Sequence, residues 1–321
     1  MTQKPVTTPL SNPPDSYVHI FFLDGVGLGV ADPAVNPFAT AVLPHLSALF
    51  GPTWYVADQA LISSDRASLI PTDANLGLSG RPQSATGQAA ILTGRNVPEL
   101  IGEHYGPKPN QPVRDVVQEG SLFQEVVDAG GRAALITPYP QGFFDAIDSG
   151  KRILSSVPLA ATNAGLALMT ADDLRNGRSV SPDFTAQGWH DHLGYTDIPL
   201  LTLSQAGERI AHIARDYHFS FFEHWPTDMR GHRGSLDEAV THLETVDAVI
   251  GGLLSAWDDQ HGLLIITSDH GNIEDKSHRS HTRNRVPTIL LGKNHAQLAP
   301  HIHDLTDIAT AVRQTVFSQV V

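Results

Sequence analysis

Leu263, Leu264, Ile265 and Ile266 form an apolar run without polar alternation, and the run leads into Ser268, Asp269, His270 and Gly271. A strand with one wet face alternates. A short unbroken run suits a strand covered on both faces, as in a parallel sheet packed between helices. In such sheets function gathers at the carboxyl ends of the strands. Here that end carries an acid, an imidazole and a glycine that permits the sharp turn bringing Asp269 and His270 to one point. The stretch reads as half of a metal site.

Other strand ends carry similar chemistry. Residues 17–23 (YVHIFFL) read as a strong strand running into Asp24, Gly25, Val26 and Gly27. A dinucleotide fingerprint fails here, because G-x-G-x-x-G from Gly25 needs a glycine at Val30 and Asp24 repels a pyrophosphate. Residues 218–223 read as a strand delivering Asp228 and His232, whose spacing of four puts them on one side of a helical turn. Ser84 opens a helix that Gly94 closes. A serine there is ordinarily an N-cap. The functional alternative is a nucleophile facing the positive end of the helix dipole, with Thr86 as the second candidate hydroxyl.

Around these points the chain reads as an α/β protein. Helices are expected over 43–50, 121–129, 204–217, 236–254 and 304–316, and further strands over 133–137 and 286–292. Residues 62–80 read as irregular and 97–112 as a linker. A flexible leader is expected over 1–15, a core over 16–140 and 200–321, and an inserted lid over 141–199, with a start near 97 as the other reading. At about 300 residues a fold buries roughly 75% of its unfolded surface, so a core needs no staples. The net charge of −13 argues against a nucleic-acid surface. With no cysteine, any metal must use nitrogen and oxygen ligands. No run approaches the ~18 apolar residues of a membrane span, and the polar, proline-rich start is no signal peptide, so a cytoplasmic protein is expected.

Taken together, Asp24, Ser84, Asp228, His232, Asp269, His270 and His281 make a two-metal pattern in one order along the chain. Two divalent ions about 3.5–4 Å apart suit in-line displacement at phosphorus. The chain resembles the alkaline phosphatase superfamily of metalloenzymes, in the branch holding phosphopentomutase and cofactor-independent phosphoglycerate mutase. The motifs that carry the resemblance are Asp24-Gly25-Val26-Gly27 after a strand, Ser84-Ala85-Thr86-Gly87 with Gly94-Arg95, and Asp228-Met229-Arg230-Gly231-His232. Thr267-Ser268-Asp269-His270-Gly271-Asn272 and His281-Thr282-Arg283-Asn284 complete the set.

The resemblance implies a three-layer α/β/α core with a mostly parallel sheet and a small lid. It implies one ion held by Asp228, His232 and His281. The other is implied at Asp24, Asp269 and His270, with Ser84 as a further ligand bridging or facing both ions and forming a phosphoserine. Mn²⁺ or Zn²⁺ is expected, with Mg²⁺ as a third option, and the partner is a small phosphorylated substrate. Arg233 and Arg283, and beside them Arg279 and Arg285, are candidates for phosphate contact. Glu274, Asp275 and His278 have ligand chemistry but no place in the motifs. Two departures bear on activity. Gln88 stands where mutases of this branch typically carry histidine, and across 141–199 the basic residues are Lys151, Arg152, Arg175 and Arg178. Hydrolysis of a phosphate monoester is therefore expected ahead of a mutase. A phosphodiesterase or sulfatase ranks next, and a catalytically silent metal-binding protein last.

Overall fold

The computed structural model describes residues 14–317, so the expected leader over 1–15 lies almost wholly outside the described residues. Seven strands form one sheet: β1 (Tyr17–Leu23), β2 (Ile62–Ser63), β3 (Ala67–Thr72), β4 (Ala133–Leu135), β5 (Phe219–His224), β6 (Gly262–Thr267) and β7 (Val286–Gly292), in the order β2-β3-β7-β6-β1-β5-β4. β4, β5, β1 and β6 are mutually parallel; β7 runs against β6, β3 against β7 and β2 against β3. Five of the seven strands thus point one way. β1, the strand between β6 and β5, is buried along its whole length, as its lack of alternation requires.

Successive side chains leave opposite faces of a strand, and each face meets its own helical layer. Val18, Ile20 and Phe22 join a core with Phe219, Phe221, Leu263 and Ile265, covered by helices Ser84–Thr93, Gln111–Glu119, Leu122–Asp128, Ser156–Asn163 and Leu305–Val316. Phe21, Leu23, Phe222, Leu264 and Ile266 join the other, covered by helices Pro44–Phe50, Leu203–Ala214 and Leu236–Ala256. The result is the α/β/α sandwich. No helix among the described residues is long and apolar enough to cross a membrane.

Two stretches differ from expectation. Residues 62–80 are not irregular: they hold β2 and β3, which widen the sheet. Residues 97–112 are not a bare linker, since helix Val97–Ile101 lies there and helix Gln111–Glu119 begins there. The 141–199 segment adds four short helices and no named strand. Phe143, Val157 and Leu159 sit in the first core, Val180 and Phe184 in the second, while Leu174, Ala186, Trp189 and Ile198 make a small cluster of their own.

Candidate metal centre

Strand alternation builds the site. On β1 the face that buries Val18, Ile20 and Phe22 continues to Asp24; on β6 the face of Leu263 and Ile265 continues to Asp269. Both carboxylates therefore rise from the carboxyl edge toward the layer containing helix Ser84–Thr93. Gly87 lets that helix sit directly against the strand end, because a Cβ there would lie 2.9 Å from both Cβ and the carbonyl oxygen of Asp269. One turn after Ser84, Gln88 Nε2 reaches Asp24 Oδ2 at 3.5 Å and Asp269 Oδ2 at 3.3 Å.

Helix Pro226–Arg233 carries Asp228 and His232 on one side, and Lys276 Nζ donates to its last carbonyls, Arg230 O and Gly231 O, both at 2.6 Å. His232 Nε2 lies 3.3 Å from Asp228 Oδ2 and 3.1 Å from His281 Nε2. His281 Nε2 is 3.7 Å from Asp228 Oδ1. Each ring anchors its other nitrogen on a carbonyl: His232 Nδ1 on Arg279 O at 2.6 Å, and His281 Nδ1 on Pro82 O at 2.8 Å. A carbonyl only accepts, so both Nδ1 atoms carry protons. With both Nδ1 atoms engaged, the two Nε2 atoms converge at 3.1 Å beside a carboxylate. A cation can take both nitrogens and the carboxylate, and the carbonyl anchors are the usual outer partners of ligating histidines.

The neighbouring cluster is carboxylate-rich. His270, fully buried, places Nε2 3.0 Å from Ser84 Oγ, 3.3 Å from Asp24 Oδ1 and 3.7 Å from Asp269 Oδ1. Asp24, Asp228 and His270 converge tightly enough to hold one ion. Asp269 is turned more toward Gly25 N and Gln88. The structure thus brings Asp228 to both groupings and keeps Asp269 alongside the second. Asp24 Oδ1 is buried with the His270 ring at 3.3 Å as its near partner and no well-aligned hydrogen bond, which leaves lone pairs that a cation can take. The all-nitrogen-and-oxygen donor set fits a divalent ion.

The electrostatics agree. Burial raises the Asp24 and Asp269 carboxyls, those of Asp269 well above the usual range. Burial disfavours charge on His270, but Asp269 and Asp24 outweigh it and hold the ring up at about 10. His281 is pushed down to about 4 by burial and by His270, leaving it neutral. Because the folded value of His270 exceeds its free one, its proton is fully present below about 6.5 and is lost only toward 10. A ligating imidazole must be deprotonated. Loading metal-free protein with Mn²⁺ or Zn²⁺ at pH 7 is therefore expected to release about one proton from the buried cluster of His270, Asp24 and Asp269, with affinity climbing up to ~10-fold per pH unit. Calorimetry in buffers of different ionisation heat measures this; a heat independent of buffer goes against it.

Ser84 is the first residue of its helix, and the cap position, Gln83, makes no side-chain capping bond. Thr86 is fully buried, and its hydroxyl is committed to Gln83 O at 3.1 Å, Tyr105 O at 3.3 Å and Tyr105 N at 3.2 Å. Arg233 is exposed beside Trp225 and Met229, outside both groupings. Arg283 donates to Asn75 Oδ1 at 3.2 Å and, with Arg81, Gln83 and His104, lines an open cleft of about 670 Å³ beginning one residue before Ser84.

Sequence reasoning passed over two supporting residues. Asn272 Nδ2 donates to Asp228 Oδ1 at 2.6 Å. Glu274, fully buried, accepts from Gly27 N at 2.9 Å, Asn272 N at 2.7 Å, Asn284 Nδ2 at 3.0 Å and the Thr282 hydroxyl. It ties together the three loops that follow β1, follow β6 and carry His281. An acid two residues after Asn272 in the glycine-bounded turn was the available signal.

Residues 203–318 match the family model described as Metalloenzyme superfamily. Among curated proteins, the chain is 42% identical over 79 residues to the 2,3-bisphosphoglycerate-independent phosphoglycerate mutase of Thiobacillus denitrificans, covering 22% of this chain and 15% of that protein. It is 30% identical over 124 residues to the mutase of the same name from Moorella thermoacetica, covering 37% and 24%. The matched stretches thus span no more than about a quarter of these relatives' length. Among solved structures, the alkaline phosphatase of the Antarctic bacterium TAB5 superposes with a TM-score of 0.51 at 12% identity, covering 95% of this chain and 98% of that one. A protein of Pyrococcus horikoshii does so with 0.51 at 14%, covering 96% and 98%. Residues 203–318 are thus similar to the Metalloenzyme superfamily, and the chain shares the fold of the alkaline phosphatase of the bacterium TAB5.

Proposed function

We propose that the chain is a two-metal phosphoryl-transfer enzyme that hydrolyses a small phosphate monoester through a phosphoserine at Ser84. The observation that carries this reading is the 3.0 Å approach of Ser84 Oγ to His270 Nε2, at the head of a buried helix and beside both ligand groupings. In this reading Asp228, His232 and His281 hold one ion, and Asp24, Asp269 and His270 the other. Mn²⁺ or Zn²⁺ suits these ligands, with Mg²⁺ as the third option. When bound, the ions supply Lewis acidity toward the phosphoryl oxygens and favour the serine alkoxide. The chain's own residues do the rest. The first turn of helix Ser84–Thr93 presents its positive end to the incoming anion. Gln88 holds Asp24 and Asp269 in register. Asn272 and the carbonyl anchors fix Asp228, His232 and His281.

Hydrolysis is favoured over isomerisation because a mutase must retain its intermediate while it turns. Within 141–199, Arg175 is paired with Asp172 and Asp197, Arg178 is paired with Asp173, and Arg152 lies over the Phe143 ring. Only Lys151 and Arg152 are left there without an acidic partner among the described residues to hold a doubly charged intermediate. The cluster around Trp189 serves as the lid in this reading. The mutase reading stands second, favoured by the names of the curated relatives. The test is ³¹P NMR of the metal-loaded protein with a panel of monoesters. Inorganic phosphate is the expected product; an isomerised ester without phosphate release moves the assignment to a mutase.

A further inference from the structure

Glu223 lies in the same row as the candidate ligands, yet nothing in the ligand groupings uses it. It continues the face of β5 that buries Phe219 and Phe221, just as Asp24 continues the face of β1 that buries Phe22. The register pairs Phe22 with Glu223, so Asp24 lies one strand over and two residues further along the same face. With strands about 4.8 Å apart and ~3.3 Å per residue, the two positions are roughly 8 Å apart at the backbone. On the other side Tyr139 follows β4 on that face, and its hydroxyl donates to Glu223 Oε2 at 3.4 Å. Tyr139 is itself fixed by stacking on Phe143 at 4.3 Å between centroids.

Comparison with Glu274 shows what is unusual. Glu274 is surrounded by four donors and is a structural tie. Glu223 has one long hydrogen bond to its side chain among the described residues. Glu223 is half-buried, and a partly desolvated carboxyl with one long hydrogen bond is a candidate working group. Burial, then the charge of Asp24, raises its carboxyl to about 7, while Lys108 and Tyr139 pull the other way. Lys108 arrives on a loop whose Gly106 backs directly onto the nucleophile helix, since a Cβ there would lie 3.0 Å from Gln83 Cβ and 3.1 Å from Ser84 N. Lys108, close enough to Glu223 for each to shift the other's charge, thus sits two residues along the chain from a glycine packed against Ser84 N.

We propose that Glu223 is a catalytic acid that protonates the leaving oxygen of the substrate. This rests on the phosphoserine reading above. As the Ser84 alkoxide forms its Oγ–P bond and the P–O bond to the substrate's organic part breaks, the Glu223 proton passes to the departing oxygen, which leaves as an alcohol; Oγ is released again as the alkoxide when water displaces it. Water then attacks phosphorus, the Oγ–P bond breaks, and the water proton returns to the Glu223 carboxylate. Lys108 steadies that carboxylate between the steps.

A group that protonates the leaving oxygen matters only when that oxygen needs a proton. Wild type and Glu223→Gln are therefore compared by kcat/KM on 4-nitrophenyl phosphate, whose phenolate departs unaided, and on glycerol 3-phosphate, whose alkoxide does not. The expected result is a loss of about 10²–10³-fold on the alkyl ester with the aryl ester within ~3-fold. Glu223→Asp, which keeps the acid but withdraws it, is expected to fall between. An equal loss on both esters, as from a purely structural role, overturns the proposal, and so does no loss on either. If wild type turns over neither ester and Ser84 takes up no phosphate, the phosphotransfer reading fails and carries this proposal with it.

Discussion

Ser84→Ala is expected to lower turnover of any accepted monoester by roughly 10⁴-fold or more while leaving metal content and fold intact. Loss of a nucleophile removes the bond-forming partner itself, and the remaining groups act only as a unit with it. The fold survives because Ser84 is the first helical residue and not the cap, so the usual penalty for removing a capping hydroxyl does not apply. The candidate metal donors on Asp228, His232, His281, Asp24 and His270 are untouched. Thr86 gives the contrast. Thr86→Val strips a fully buried hydroxyl from three backbone partners on Gln83 and Tyr105, so it is expected to reduce stability by about 1–3 kcal/mol. The paired measurement is phosphate release, metal per chain by mass spectrometry, and thermal unfolding. A Ser84→Ala protein that keeps wild-type turnover moves the nucleophile elsewhere.

The distinction between these two hydroxyls was not available from the sequence, where both stand near one helix start. It depends on Tyr105 and on His270, 19 and 186 positions away in the chain. The strand ends were legible for a local reason. β1 and β6 are buried on both faces, so their apolar runs announce themselves, and the acids that follow are conspicuous. β3 was not legible because Ser68 and Pro71 break the pattern. Pro71 is tolerated because β2 pairs with β3 only as far as Leu69, leaving Pro71 on an edge. In 97–112 the prolines suggested a linker, yet Pro98 and Pro112 sit in the first turns of helices capped by Asn96 and Asn110. Proline and asparagine there were start signals. Gln88 was visible as a departure, but its span between two carboxylates was not, since one partner lies 64 residues before it and the other 181 after it.

Glu274→Ala is expected to be among the most destabilising single changes in the chain. Both carboxylate oxygens are used twice: Oε2 accepts from Gly27 N and Asn272 N, and Oε1 from the Thr282 hydroxyl and Asn284 Nδ2. Truncation leaves four donors without an acceptor in a buried position, each worth about 1–3 kcal/mol when unpaired. Water entering the vacated space recovers part of this, so a net loss of about 3–5 kcal/mol is expected, comparable to breaking a buried ionic partner. Glu274→Gln is not neutral either. Whichever way the amide lies, its NH₂ faces two donors, so roughly half the loss is expected to remain. The carboxylate also explains two glycines of the wild type, because a Cβ on Gly27 or Gly271 would lie 2.2 Å from Glu274 Oε1. The tied loops also carry Asp24, His270 and His281, so metal affinity is expected to fall about 10–100-fold, the usual effect of losing an outer partner. Chemical denaturation of the metal-free variants separates the two effects. If Ala and Gln both unfold at the wild-type midpoint, the tie contributes nothing to the fold. If stability drops but metal affinity stays, the loops are held in place by their strands alone.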